Sequence, residues 1–150
     1  MTNSNRIKVK AMCLFIRNGR ILVTPVHDQT ADKHFYRLPG GSVEFGETAE
    51  QAMQRESQEE LGSGVSQLRF LEVVENIFTY QGNSGHEVVF IFAGELEQSK
   101  LYDQPIIHFT EGQEKYEARW IETSQILNGG VPLYPELDYQ KYFSVHRPVQ

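Results

Sequence analysis

Three glutamates, Glu56, Glu59 and Glu60, stand at helical spacing in a stretch, residues 48–61, that contains no glycine or proline. Carboxylates this close can do two kinds of chemistry. Their oxygens can hold a hard divalent cation, and one of them can take a proton from water. On a wheel advancing about 100° per residue, Ala49, Ala52 and Met53 fall on the side of Glu56 and Glu60, with Glu59 just across. Gln51, Gln54 and Gln58 face the other way. A glutamine-rich solvent face is therefore already available, and the carboxylates sit where small apolar residues would meet a sheet. Two readings stay open at this point. An exposed acidic face costs only about 0.2–0.5 kcal/mol per like-charge pair. Partly buried carboxylates about 5 Å apart repel by about 3 kcal/mol per pair at an effective dielectric near 20. Arg55 offsets one charge at most, and a divalent cation offsets more.

The elements that would position these groups are legible in outline. Thr48 followed by Gln51 is a capping-box pattern, and Gly62 stands where a left-handed C-terminal residue belongs, so the spacing predicts a helix over 48–61. The preceding segment, residues 40–47, reads Gly-Gly-Ser-Val-Glu-Phe-Gly-Glu. Its glycines permit close approach of backbone to a ligand, although ordinary strand-to-helix turns use glycine as well. It lacks the Gly-Lys-Ser/Thr ending of a P-loop, and no Gly-x-Gly-x-x-Gly occurs in the chain. Residues 8–17, Asn18-Gly19 and residues 21–23 read as a hairpin, because both central residues of a type I′ turn need positive φ. Residues 34–38, 68–78, 87–96 and 116–121 read as strands, and residues 123–127 and 136–142 as short helices. Strands, one strong helix, more strands and short helices imply an α/β or α+β fold with a mixed sheet covered by helices.

Composition narrows the partners. The chain has 150 residues and a formal net charge of -6, which fits a single domain over 1–150. Net acidity argues against non-specific nucleic-acid binding, which basic residues supply. It leaves room for a phosphate-bearing substrate if a metal bridges the like charges. Cys13 is the one cysteine, so no internal disulfide and no cysteine-based zinc site is expected. The five histidines, His27, His34, His86, His108 and His146, are scattered. The polar start of the chain has no signal-peptide core, and the longest strongly apolar run, residues 88–93, is far short of the roughly 20 residues of a membrane helix. The expectation is a soluble, cytoplasmic protein that does not engage a membrane.

Taken together, Gly41, Glu47, Arg55-Glu56, Glu59-Glu60 and Gly62 resemble the signature of the Nudix (MutT-like) hydrolase family. That pattern is Gly, five residues, Glu, seven residues, Arg-Glu, an aliphatic, any residue, Glu-Glu, any residue, Gly, an aliphatic. All seven fixed positions match across residues 41–63. Ser57 and Ser63 stand where the family prefers aliphatics, and both are expected to weaken packing of the helix. Leu38-Pro39-Gly40, Glu44 and Gly46 also resemble common members. The resemblance implies an α/β/α sandwich with a mixed sheet. It implies Mg²⁺- or Mn²⁺-dependent hydrolysis of a nucleoside diphosphate linked to another moiety: a nucleotide sugar, a dinucleoside polyphosphate or an (oxidised) nucleoside triphosphate. A homodimer is compatible with it.

Carried over from the family, Glu56, Glu59 and Glu60 are metal ligands, with the Gly40 carbonyl as a further one, and Arg55 orients a carboxylate, Glu47. The general base is a box glutamate or one from a later loop containing Glu111, Glu114 and Glu117; Glu114 is favoured by its place ahead of Trp120. Gly40, Gly41, Glu44, Arg37 and Tyr80 are the expected substrate contacts. Tyr80 lies in the region where the family's selectivity residues fall, and Phe35 and Arg37 alternate with Tyr36 on a strand bordering the cleft. Two other readings stand beside the enzyme. A non-catalytic nucleotide-sensing module on the same fold would be expected to lose box carboxylates. A plain structural domain with an acidic helix would require seven coincident matches.

Overall fold

Alternation along the first strand sets the two sides of the fold. In β1 (Lys8–Leu14), Ala11 and Cys13 enter one buried cluster, while Met12 and Leu14 enter another, as a period of two requires. This arrangement is seen in a computed structural model that describes residues 5–143. Residues 1–4, the start of the polar N-terminal stretch, and residues 144–150, with His146, lie outside the described part.

β1 is central in a four-stranded mixed sheet. It pairs antiparallel with β5 (Gly40–Ser42) and parallel with β7 (Asn83–Leu96), which in turn pairs with β6 (Val65–Tyr80). The second sheet is built from β2 (Ile16–Arg17), β3 (Arg20–Asp28), β4 (Lys33–Arg37), β8 (Ile106–Glu111), β9 (Glu114–Glu122) and β10 (Leu133–Tyr134). Its order is β10-β4-β3-β9-β8, with β2 on β3. Helix α1 (Ala49–Leu61) places Ala52 and Met53 against Ala11 and Cys13 of the first sheet and against Ile107 and Phe109 of β8. The opposite face of β1 meets Ile21, Val23 and Leu38, together with Tyr139 and Phe143 at the short helix α3 (Gln140–Phe143). A second short helix, α2 (Thr123–Leu127), follows β9.

The N-terminal hairpin forms only in its distal half. Asn18 and Gly19 have φ of 55° and 76°, and Ile16 pairs with Ile21. Upstream, the chain turns away at the buried Phe15, whose carbonyl accepts from Leu22 N at 3.1 Å. One apparent strand thus serves both sheets. The β6–β7 hairpin is longer than expected because its turn closes on Gln81-Gly82 alone, with φ of 53° and 78°. Gly85 lies within the strand because the Phe78 ring fills the space its side chain would need. Three strands, β5, β8 and β10, were not anticipated, and the last expected helix, 136–142, is reduced to α3.

Candidate active site

α1 forms where its caps dictate. Thr48 Oγ1 accepts from Gln51 N at 3.1 Å, and Gln51 Oε1 accepts from Thr48 N at 2.9 Å. At the other end Gly62 takes φ of 69°, and its N–H reaches Gln58 O. The helix buries Ala52, Met53, Glu56, Ser57, Glu60 and Leu61. A solvated acidic face is therefore excluded for two of the three glutamates: Glu56 and Glu60 are each 9% exposed. The Glu59 side chain stays 60% exposed at the rim.

Arg55 organises the neighbouring carboxylates. Its Nε and Nη2 donate to the two oxygens of Glu47 at 2.7 and 3.0 Å, and Nη1 donates to Glu56 at 3.0 Å and Glu59 at 3.2 Å. Nη2 also donates to the Ser42 carbonyl of β5, so one guanidinium ties helix, loop and strand together. Such forked, charge-assisted bonds are the strong kind, and they hold Glu47 down to about 2. Glu44 closes the loop: its N–H donates to Glu47 Oε1, and its carbonyl accepts from Glu47 N. Its own carboxylate is exposed, 3.9 Å from Arg55 Nε.

Glu60 is different. No arginine or lysine pairs with it among the described residues, and burial, reinforced by the charge of Glu56, pushes it up to about 8, with Arg37 acting the other way. Burial likewise raises Glu56, against the pull of Arg55. Two buried carboxylates, of which only Glu56 is paired to a cation, leave negative charge uncompensated. That is the donor set a hard divalent ion fits, all oxygen and clustered, and the residues present therefore suit Mg²⁺ or Mn²⁺.

The glycines before the helix are explained by contact. Gly40 has φ of 145°, and a Cβ there would lie 2.0 Å from the Ala11 carbonyl oxygen. At Gly41 a Cβ would lie 2.5 Å from the Glu56 carboxyl group. Gly41→Ala is expected to displace Glu56 and lower kcat by about 10–10²-fold with the fold retained. Steady-state kinetics alongside circular dichroism checks this, and near-normal turnover would show that the Glu56 position is not critical.

A cleft of about 260 Å³ is lined by Glu56, Glu59, Glu60, Thr110, Glu111 and Gly112. Its far wall comes from β8. Ile107 and Phe109 are buried on one face of that strand, and Glu111 continues the same alternation beyond the edge of the core. Of the three later-loop glutamates, Glu111 is the one that lines the cleft. Glu114 is the cross-strand partner of Glu111, on the far side of the Gly112-Gln113 turn, and does not line the cleft. Glu117 is taken up by Arg119. The signal for Glu111 was present in the alternating Ile107, Phe109 and Glu111, had β8 been read as a strand.

Arg37, half-buried at the end of β4, lies near enough for its charge to act on Glu60. Tyr80 is half-buried outside both core clusters, its ring edge-on to Phe35 at 6.2 Å, and Phe35 is edge-on to Tyr134 at 5.3 Å. Tyr80 does not line the carboxylate cleft.

The sequence pattern of the NUDIX domain family matches residues 6–140. The chain belongs to the Nudix family. Among solved structures, a NUDIX hydrolase from Nitrosomonas europaea aligns with a TM-score of 0.63 at 18% identity, covering 95% of this chain and 92% of the other. The mutator MutT protein from Bacillus halodurans aligns with a TM-score of 0.58 at 16% identity, covering 95% and 84%. These likenesses establish a Nudix-type α/β fold. An 8-oxo-dGTP diphosphatase of Proteus vulgaris is 48% identical over 44 residues, which is 29% of this chain and 39% of that protein; the match thus spans about two-fifths of the relative's length.

Against the Nudix pattern, the two serines prove better placed than expected. Both are 1% exposed. Ser57 Oγ donates to Ser63 O at 2.8 Å, Ser63 Oγ donates to Gly64 O at 2.8 Å, and it accepts from Gln98 N at 3.1 Å. Directional bonds stand in for aliphatic packing, and neither serine hydroxyl is left unsatisfied. Among the described residues no helix is long and apolar enough to cross a membrane.

Proposed function

We propose that this Nudix protein is a divalent-metal-dependent pyrophosphohydrolase that cleaves the diphosphate linkage of a nucleoside diphosphate joined to another moiety. The observation that carries the reading is the pair of buried carboxylates, Glu56 and Glu60, facing a cleft with Glu59 and Glu111, with Arg55 paired to Glu56 and no arginine or lysine paired to Glu60 among the described residues. A structural domain would have no reason to keep this repulsion, and a binding-only module would not need every carboxylate.

Glu56, Glu59, Glu60 and the Gly40 carbonyl would hold Mg²⁺ or Mn²⁺, which supplies charge neutralisation at the diphosphate oxygens and lowers the cost of deprotonating water. Arg55 keeps Glu47, Glu56 and Glu59 in place and prevents them from spreading apart. Glu111 stands across the cleft as the later-loop carboxylate able to accept a proton from the attacking water. Arg37 lies beside Glu60, where it would meet an anionic substrate. Phe35 and Tyr80 offer ring surface to a nucleoside. The 8-oxo-dGTP diphosphatase relative favours nucleoside triphosphates, including oxidised ones, within this substrate class. A further fold neighbour, an ADP compounds hydrolase, matches with a TM-score of 0.54 at 17% identity over 83% of this chain and 62% of its own, which motivates including ADP compounds in the same test.

The test is a panel of nucleoside triphosphates, oxidised and plain, dinucleoside polyphosphates and nucleotide sugars, scored by product analysis. The expected result is cleavage of at least one class with Mg²⁺ or Mn²⁺, abolished by EDTA and restored by added metal. Full turnover in a metal-free preparation, or binding of the panel without any cleavage, would overturn the reading.

A further inference from the structure

A second cluster lies on the β3–β4 hairpin, made from residues with no part in the cleft described above. His27 and His34 are direct cross-strand partners. Their rings stack with centroids 4.1 Å apart and planes 6° from parallel. Asp32, from the connecting loop, brings Oδ1 to 2.9 Å from His27 Nε2. One nitrogen or oxygen atom from each of the three lies within 4.8 Å of the others.

Burial does not account for this grouping, because all three residues are exposed and none belongs to a core cluster. The loop carrying Asp32 is held in place. Asp28, buried at the end of β3, accepts from Thr30 N at 3.0 Å and Ala31 N at 3.1 Å through one oxygen, and from Gln81 N at 3.2 Å through the other. The hairpin is thereby fastened to the β6–β7 turn, and its three donors are presented together.

Two imidazoles and a carboxylate form a borderline donor set suited to Zn²⁺, whereas Mg²⁺ prefers oxygen throughout. Zn–N and Zn–O distances of about 2.0–2.2 Å require the His27–Asp32 pair, now at 2.9 Å, to open slightly and any wider separations within the 4.8 Å limit to close, adjustments that χ rotation of exposed side chains can make. We propose that His27, Asp32 and His34 form a second metal site, selective for Zn²⁺, separate from the carboxylate cleft. Three protein ligands leave a coordination position for water. His27 and His34 also line a cavity of about 400 Å³ shared with Phe35, Tyr36 and Arg119, so a small anion held there could replace the water.

The test is calorimetric titration of the tag-free full chain with Zn²⁺ in excess Mg²⁺, so that binding rather than hydrolysis is read and the catalytic assignment is not at stake. One equivalent is expected to bind with a micromolar or tighter Kd. His34→Ala and Asp32→Asn should each weaken binding at least about tenfold with unchanged circular dichroism, and Glu59→Gln should not. With Cu²⁺ as a spectroscopic stand-in, electron paramagnetic resonance should show splitting from two imidazole nitrogens, reduced in His34→Ala. Absence of Zn²⁺ binding, wild-type affinity in both hairpin variants, or a loss confined to Glu59→Gln would each overturn the proposal.

Discussion

Replacing Glu60 by glutamine is expected to lower kcat by at least about 10²-fold while making the metal-free protein more heat-stable at pH 8. Glu60 is raised from an ordinary 4.5 to about 8, chiefly by burial. Between those values the folded protein keeps a proton that the unfolded chain gives up. The contribution of this group to stability is thus fully present below pH 4.5 and is lost as pH rises to about 8. The wild-type melting temperature without metal should therefore fall across this window, and Glu60→Gln, which has no proton to lose, should flatten the fall. A divalent cation should reverse the trend in the wild type, because it binds the deprotonated carboxylate. Thermal melts from pH 5 to 9, with EDTA and with Mg²⁺, read the stability half; single-substrate kinetics read the other. An unchanged pH slope, or a variant with normal kcat, would remove Glu60 from the site.

Arg55→Ala should damage both stability and activity. The guanidinium makes five hydrogen bonds, to both oxygens of Glu47, to Glu56, to Glu59 and to the Ser42 carbonyl. Without it, Glu56 is left 9% exposed beside other carboxylates and without a cation. Breaking a fully buried pair costs about 3–5 kcal/mol, and charged hydrogen bonds about 1.5–3 kcal/mol each. Because the Arg55 side chain is 24% exposed, a loss of about 2–3 kcal/mol is expected, roughly 5–10 °C in Tm for a domain of this size. Lysine should not rescue it, since one ammonium cannot reproduce the fork. The double variant Arg55→Ala with Glu47→Gln should be less destabilised than the sum of the single ones. Full rescue by lysine, or strict additivity, would show that the network is only a collection of surface pairs.

What could be read from the chain alone follows a physical division. α1 carries its own signals, Thr48 with Gln51 at one end and Gly62 at the other, so helix and carboxylates were visible together. The Asn18-Gly19 turn was equally local. β5 was invisible because its three residues, two of them glycine, are strand only by pairing with β1. β8 was missed for a related reason: its inward set is just Ile107 and Phe109, and pairing with β9 completes it. Glu114 was favoured for its place ahead of Trp120, a criterion blind to the turn that sets it across from Glu111. The two serines were misjudged because a residue type does not show whether a partner such as Gln98, distant in sequence, will satisfy it. His27 and His34 looked scattered because a hairpin register, rather than a motif, makes them neighbours.

The position of β1 also has a consequence for the order of events during synthesis. The strand is made first, yet its parallel partner β7 comes about eighty residues later, Lys8 against Glu87. β5, which carries Gly40 and Gly41, pairs with β1 alone. Until this long loop has closed, β1 has β5 as its one ladder partner in that sheet, so the glycine backbone that the Glu56 carboxyl rests against is attached to a two-stranded ribbon rather than to a sheet. A nascent chain stopped before β7 can contain α1 with all three glutamates and still lack the surroundings that bury them. On the proposed reading, affinity for a divalent ion is thus acquired late, together with the sheet that buries Glu56 and Glu60.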